Sequence, residues 1–137
     1  LGTEVHELLA QVEWLGNEPD YTGATAEGAK LVREFLASDR ALVMKKPGEN
    51  FTLWRERAFD VEVDGRAVSG IFDRVHIELG EDGKVASAQI YDFKTDKGNV
   101  DLPERYNDQL DAYRQAVALL LGISANKVES KALRVRS

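Results

Sequence analysis

Apolar positions in the first third of the chain follow helical spacing. Val5, Leu8, Leu9, Val12 and Leu15 recur at intervals of three and four, predicting a helix capped by Thr3 and ended by Gly16-Asn17-Glu18-Pro19. Leu31, Val32, Phe35 and Leu36 form the stripe of a second helix over about 24–37, and Pro47-Gly48-Glu49-Asn50 marks a loop. The period then shortens. Phe51 to Phe59 reads as a strand, and a hairpin follows from about Ala67 to Thr95. Asp96-Lys97-Gly98-Asn99 reads as a loop, and Pro103 suits the first turn of a third helix. Leu110, Tyr113, Val117, Leu120 and Leu121 are the apolar positions of that helix before Gly122 stops it, and a last strand is expected over about Glu129–Val135. Helices, three antiparallel strands, a long helix and a further strand predict an α/β domain, one sheet with helices packed against it. No repeat, linker or low-complexity segment divides it, so a single domain over 1–137 is expected.

Inside the hairpin, charge interrupts the apolar pattern. Asp92 and Lys94 flank Phe93 in a stretch that alternates as a strand, so both project from one face. A charged pair on a central strand is costly unless it is bound to something; taken alone, an ion pair at a strand end explains it. The partner strand Val68–Ile77 carries Asp73, and Gly80-Glu81-Asp82-Gly83 separates the two strands. With Asp82-Gly83 as a two-residue turn, Glu81 pairs with Lys84 and Asp73 falls opposite Asp92. A one-residue slip would separate them. Carboxylates facing each other destabilise a ladder. Two of them with a lysine therefore point to a divalent metal, with a pocket for a cation-rich substrate as the alternative.

Composition frames this chemistry. A chain of 137 residues with 43% hydrophobic and 31% charged residues matches an ordinary globular protein. No apolar run approaches the ~20 residues that cross a bilayer, and no signal peptide is visible. The absence of cysteine rules out disulfides, thiolate zinc sites and iron–sulfur clusters, and fits a reducing, cytoplasmic setting. The chain starts at Leu1 rather than Met and is expected to be cut from a longer protein. A net charge of −6 is awkward for a nucleic-acid binder but excludes none, since a metal site is itself acidic. Basic residues cluster locally at Lys45-Lys46, Arg55 and Arg57, Lys94 and Lys97, and from Lys127 through Lys131 and Arg134 to Arg136.

Further polar residues lie where a sheet could present a site. His6 sits in the first helix, where a lone histidine ordinarily meets a carboxylate or solvent. Gln109 and Tyr113 are four apart on one face of the third helix. Glu56 stands between Arg55 and Arg57, where a surface ion pair is the plain explanation, and His76 is read as structural.

Four motifs in order give these residues a common frame. Gly2-Thr3-Glu4-Val5-His6, Gly70-Ile71-Phe72-Asp73, Asp92-Phe93-Lys94 and Gln109-Leu110-Asp111-Ala112-Tyr113 together resemble the RecB/AddA-type nuclease domain of the PD-(D/E)xK superfamily. That domain lies at the C-terminus of UvrD/Rep-like helicase–nucleases. The resemblance spans nearly the whole chain. It implies a restriction-endonuclease-like core, a central mixed sheet of order αβββαβ flanked by helices. It also implies a Mg²⁺- or Mn²⁺-dependent deoxyribonuclease, an exonuclease in double-strand-break repair and recombination, acting on DNA beside helicase domains and a partner subunit. By the same resemblance Asp73, Asp92 and Lys94 are catalytic, while His6, Asp73, Asp92 and the Phe93 carbonyl hold the metal. Gln109 and Tyr113 position DNA, and Glu56 matches a frequent acidic position. With no cysteines flanking the motifs, the iron–sulfur, AddB-like branch is set aside. The alternative is a DNA-binding or assembly module that keeps the fold without catalysis; a metal-dependent hydrolase of some other substrate is a third reading.

Overall fold

The computed structural model describes residues 1–95 and 104–136, with side chains from 108 onward in the third helix. The expectations for Asp96–Asn99, Lys97 and Pro103 lie outside the described residues. Three helices, α1 (Gly2–Ala10), α2 (Ala26–Leu36) and α3 (Glu104–Leu121), pack on strands β1 (Phe51–Val63), β2 (Arg66–Leu79), β3 (Val85–Lys94) and β4 (Val128–Arg134). The sheet order is β1-β2-β3-β4. The first three strands are antiparallel, and β4 joins β3 in parallel after the α3 crossover.

The sheet has an apolar cluster on each side. Val5, Leu8, Leu9 and Val12 pack with Val32 and Phe35 of α2 and with Phe93 and Leu133. Ala116, Val117 and Ala118 of α3 pack with Phe72, Val75, Ile77, Ala88 and Ile90. The α3 stripe is rotated from the expected one: Leu120 is 46% exposed, and the smaller Ala116 and Ala118 take the sheet side. Small side chains let the helix axis approach the β-branched residues of β2 and β3.

Thr3 does not cap α1. It lies within the helix, Leu1 occupies the cap position, and no side chain caps that end. The neighbouring Glu4 instead accepts hydrogen bonds from the backbone N–H (2.5 Å) and hydroxyl (2.7 Å) of Thr25, which itself caps α2 through Gly28 N–H. This ties the start of α1 to the start of α2.

The two hairpin turns differ, and the second departs from expectation. β1 runs on to Val63 and turns through Asp64 (φ 50°) and Gly65 (φ 79°), with Val63 pairing Arg66. Two consecutive positive φ values make this the tight I′ turn that Asp-Gly favours. At Asp82-Gly83 the turn is wider. Gly80 N–H donates to the Lys84 carbonyl at 2.7 Å, and only Gly83 has positive φ. Glu81 therefore does not pair with Lys84. Leu79 meets Val85, one residue out of the expected register, and a bulge at Glu78/Leu79 leaves Ala86 as the extra residue and corrects it. From Glu78↔Ser87 to Arg74↔Tyr91 the ladder holds the register expected of a two-residue turn, which carried onward sets Asp73 opposite Asp92.

Candidate functional site

The two long strands change face at the same level. On β2, Val68 and Phe72 pack toward α3, but so do Val75 and Ile77. The inward set thus changes from even to odd positions across Asp73-Arg74. On β1 the change falls at Glu56, a non-glycine residue with φ 44°, between inward-packed Trp54 and Phe59. A left-handed glutamate is uncommon and costs backbone energy. Glu56 lies between the pairs Arg55↔Arg74 and Arg57↔Phe72, facing Asp73. Glu56, Asp73 and Asp92 consequently stand in one row across β1, β2 and β3.

His6 reaches this row from α1. Its Nε2 is 3.2 Å from Asp73 Oδ2, and its Nδ1 donates to the Gly2 carbonyl at 2.7 Å. The four-residue spacing from Gly2 to His6 is one helical turn, which is why the ring can bond back to that carbonyl. A proton on each ring nitrogen satisfies both contacts. The hydrogen bond to Asp73 is the main cause raising the His6 pKa to about 9, with burial opposing it. Burial pushes the Asp73 carboxyl up, but His6, Asp92 and the Phe93 N–H hold it below its ordinary value. The last of these bonds, from Phe93 N–H to Asp73 Oδ2, is 2.8 Å long. Glu56 moves the other way, raised by burial and by the negative charge of Asp73.

Lys94 Nζ lies 3.0 Å from Asp92 Oδ2 on the same face of β3. Between them, Phe93 turns its ring to the opposite side and buries it against Phe35 and the edge of His6. Alternation along β3 therefore gives Phe93 two tasks. Its ring anchors α1 and α2, and its backbone remains at the level of the carboxylates.

Gln109 and Tyr113 are brought to the neighbouring stretch of sheet rather than to the carboxylates. Gln109 Nε2 donates to the Tyr113 hydroxyl at 3.3 Å. The Tyr113 ring stands edge-on to Phe59 (5.0 Å) and Phe72 (5.6 Å). The Tyr113 hydroxyl lies over Gly70, where any Cβ would collide with it. Gly70 and Tyr113, far apart in sequence, are thus two halves of one contact.

Reading the sequence did not find Arg74. Its side chain is 1% exposed, and it donates to the Val12 carbonyl (2.7 Å), the Glu13 carbonyl and His76 Nε2 (2.7 Å). It satisfies carbonyls just past the end of α1 and so orients the helix that carries His6. A buried arginine inside an apolar strand was the available signal. His76 has a structural place beside it, stacked edge-on between Trp14 and Tyr91.

The donor set is one imidazole, carboxylates and a main-chain carbonyl, ligands that suit a hard or borderline divalent ion. Among the described residues no group of three His, Asp or Glu side chains forms a ready cage. His6 Nε2 and Asp73 Oδ2, donors from two elements, are 3.2 Å apart. Adjacent ligand atoms on an octahedral ion with bonds near 2.1 Å are about 3 Å apart, so this spacing fits.

A mixed four-stranded α/β sheet flanked by helices, with acidic residues aligned across its antiparallel strands and a lysine two residues on, defines the restriction-endonuclease-like class. The chain belongs to the PD-(D/E)XK nuclease superfamily, whose family profile matches residues 1–137. Proteins of this superfamily are typically metal-dependent nucleases. No curated protein matches the chain in sequence. Among the described residues no helix is long and apolar enough to cross a membrane.

Proposed function

We propose that the chain is a Mg²⁺- or Mn²⁺-dependent deoxyribonuclease domain of the RecB/AddA type. In this reading it acts on broken DNA ends as an exonuclease, within a longer helicase–nuclease. The observation that carries the catalytic part is the convergence of His6, Asp73, Asp92 and Lys94 from α1, β2 and β3. The ordered motifs support the narrower family reading.

Asp73, Asp92, the Phe93 carbonyl and His6 would hold the ion. Bound there, a divalent cation lowers the pKa of a water and polarises the phosphate. To serve as a ligand His6 would give up its proton, and a bound cation would supply the positive charge that the imidazolium otherwise sets against Asp73. Lys94, fixed against Asp92, offers its ammonium to the oxygens on which negative charge grows during displacement. Gln109 and Tyr113 set α3 against the aromatic residues of β1 and β2 and so shape the adjoining strand path.

The test is incubation with end-labelled single- and double-stranded linear DNA in Mg²⁺, Mn²⁺ or EDTA. Cleavage should require the metal, and short products released from an end would support the exonuclease reading. Asp92→Ala and Lys94→Ala should retain the folded circular dichroism spectrum and lose cleavage by at least about a hundredfold, the size of effect seen when a charge-stabilising group is removed. Undiminished cleavage by either variant would refute the assignment.

A further inference from the structure

Arg57 is set one step along the ladder from the carboxylate row and is paired in register with Phe72. Its guanidinium lies over the Trp54 ring, 4.4 Å from the centroid. In a regular strand, residues three apart point to opposite faces. Here the left-handed Glu56 removes one step of alternation and brings Arg57 onto the face of Trp54. One strained residue therefore has two effects: it sets a carboxylate opposite Asp73, and it puts the cation of the next residue on the Trp54 face, one ladder step away.

The stack continues inward. Trp54 lies near-parallel to Phe72 (6.1 Å, 25°), and Phe72 stacks on Phe59 (4.1 Å, 10°). Arg57 is the exposed end of this column, while Trp54 is half-buried. Stacking occupies the flat face of a guanidinium and leaves its in-plane N–H donors free and oriented. Several other arginines near the sheet are engaged. Arg55 donates to the Ala10 carbonyl, Arg40 to the Arg134 and Val135 carbonyls, and Arg74 to carbonyls beyond α1. Arg57 itself is exposed one ladder step from the carboxylate row, and among the described residues it has no hydrogen bond or ion pair.

We propose that Arg57, held by Trp54, is a positioning residue that binds a backbone phosphate of the nucleic-acid strand next to the scissile one, with a nucleobase meeting the edge of Trp54. The inference rests on the nuclease reading above. A chain of net charge −6 repels DNA at a distance, so local, preorganised cations must fix the strand near the carboxylates. Planar N–H pairs suit a phosphate's oxygens, and exposed aromatic edges beside arginine suit an unpaired base.

The test is binding of a fluorescein-labelled single-stranded 20-mer in EDTA, followed by anisotropy and by tryptophan emission across a salt series. Arg57→Gln should weaken binding roughly three- to tenfold at low salt and lower the slope of log K against log salt by about 0.7, the contribution of one phosphate contact on a single strand. Arg57→Lys should restore the slope. DNA should quench tryptophan emission in the wild type and not in Trp54→Phe. With Mg²⁺ present, Arg57→Gln should raise KM for cleavage and leave kcat within about twofold. Binding with an unchanged salt slope in Arg57→Gln, or without a Trp54 signal, would overturn this proposal while leaving metal-dependent cleavage intact. DNA neither bound nor cleaved would overturn both readings.

Discussion

The chain has two histidines, and the fold drives them in opposite directions. His6 meets Asp73 and is raised from 6.5 to about 9. His76 is lowered from 6.5 to about 3, first by burial and then by the charge of Arg74. The geometry agrees, because Arg74 Nε donates to His76 Nε2 and so requires that nitrogen to be unprotonated. The consequences for stability have opposite signs. His76 accepts a proton in the unfolded chain near pH 6.5 and in the folded chain only near 3, so its contribution is complete above 6.5 and declines as the pH falls through that window. His6 contributes fully below 6.5 and loses that contribution as the pH rises through about 9 in the metal-free protein. Replacing His76 with Gln, which can still accept from Arg74, should flatten the acid limb by up to about 1.4 kcal/mol per pH unit, the value of one proton. Urea unfolding across pH 4 to 9 measures it, and an acid limb of unchanged slope would contradict the reading. Apolar spacing alone does not separate the two residues. His6 and His76 both flank apolar neighbours; Asp73, brought from another element, charges His6, while burial and Arg74 two residues back on the same strand keep His76 neutral.

At the scale of elements, the site depends on irregularities that preserve register. The wide Asp82-Gly83 turn and the extra Ala86 are each one residue out of step, and together they leave Asp73 and Asp92 facing. The expected register was right although the expected turn was not. Alternating apolar residues on β2 and β3 restrict the pairing to values that bury Val75, Ile77, Ala88 and Ile90 together, whatever the loop does. Packing of α3 on β2 depends on a second local feature, Gly70 beneath Tyr113. Gly70→Ala should destabilise the protein by about 1–3 kcal/mol, as overpacking does. In a Tyr113→Ala background, where both the hydroxyl and the ring carbon 2.9 Å from the added Cβ are gone, the same change should cost clearly less. Additive losses in that double-mutant cycle, read by chemical denaturation, would show that the two residues are not one contact.

For the whole molecule, the site is where stability and metal binding meet. His6, Asp73, Asp92 and Glu56 come from one helix and three strands that share no local sequence, so bringing their charges together is work done by the two apolar clusters. An ion bound by the folded chain alone must therefore stabilise it. At a hundredfold excess over Kd the gain is about 2.7 kcal/mol, enough to raise Tm by several degrees. Differential scanning calorimetry should show this rise with Mn²⁺, and Asp73→Ala should abolish it. A wild-type Tm indifferent to Mn²⁺ would remove the metal from the account.

The sequence by itself determined the element order, the apolar stripes of the first two helices and the register of the central hairpin, because these follow from periodicity that each segment carries alone. It also displayed the motif residues, whose types limit the chemistry. Only the tertiary structure decided that His6 is bound to Asp73 rather than to solvent, that Glu56 completes a row of carboxylates, and that Gly70 exists for Tyr113. It alone turned Arg57 onto Trp54. The physical reason is common to all four. Each depends on a contact across elements or on a single left-handed residue that breaks period two, and neither leaves a trace in the spacing of hydrophobic positions.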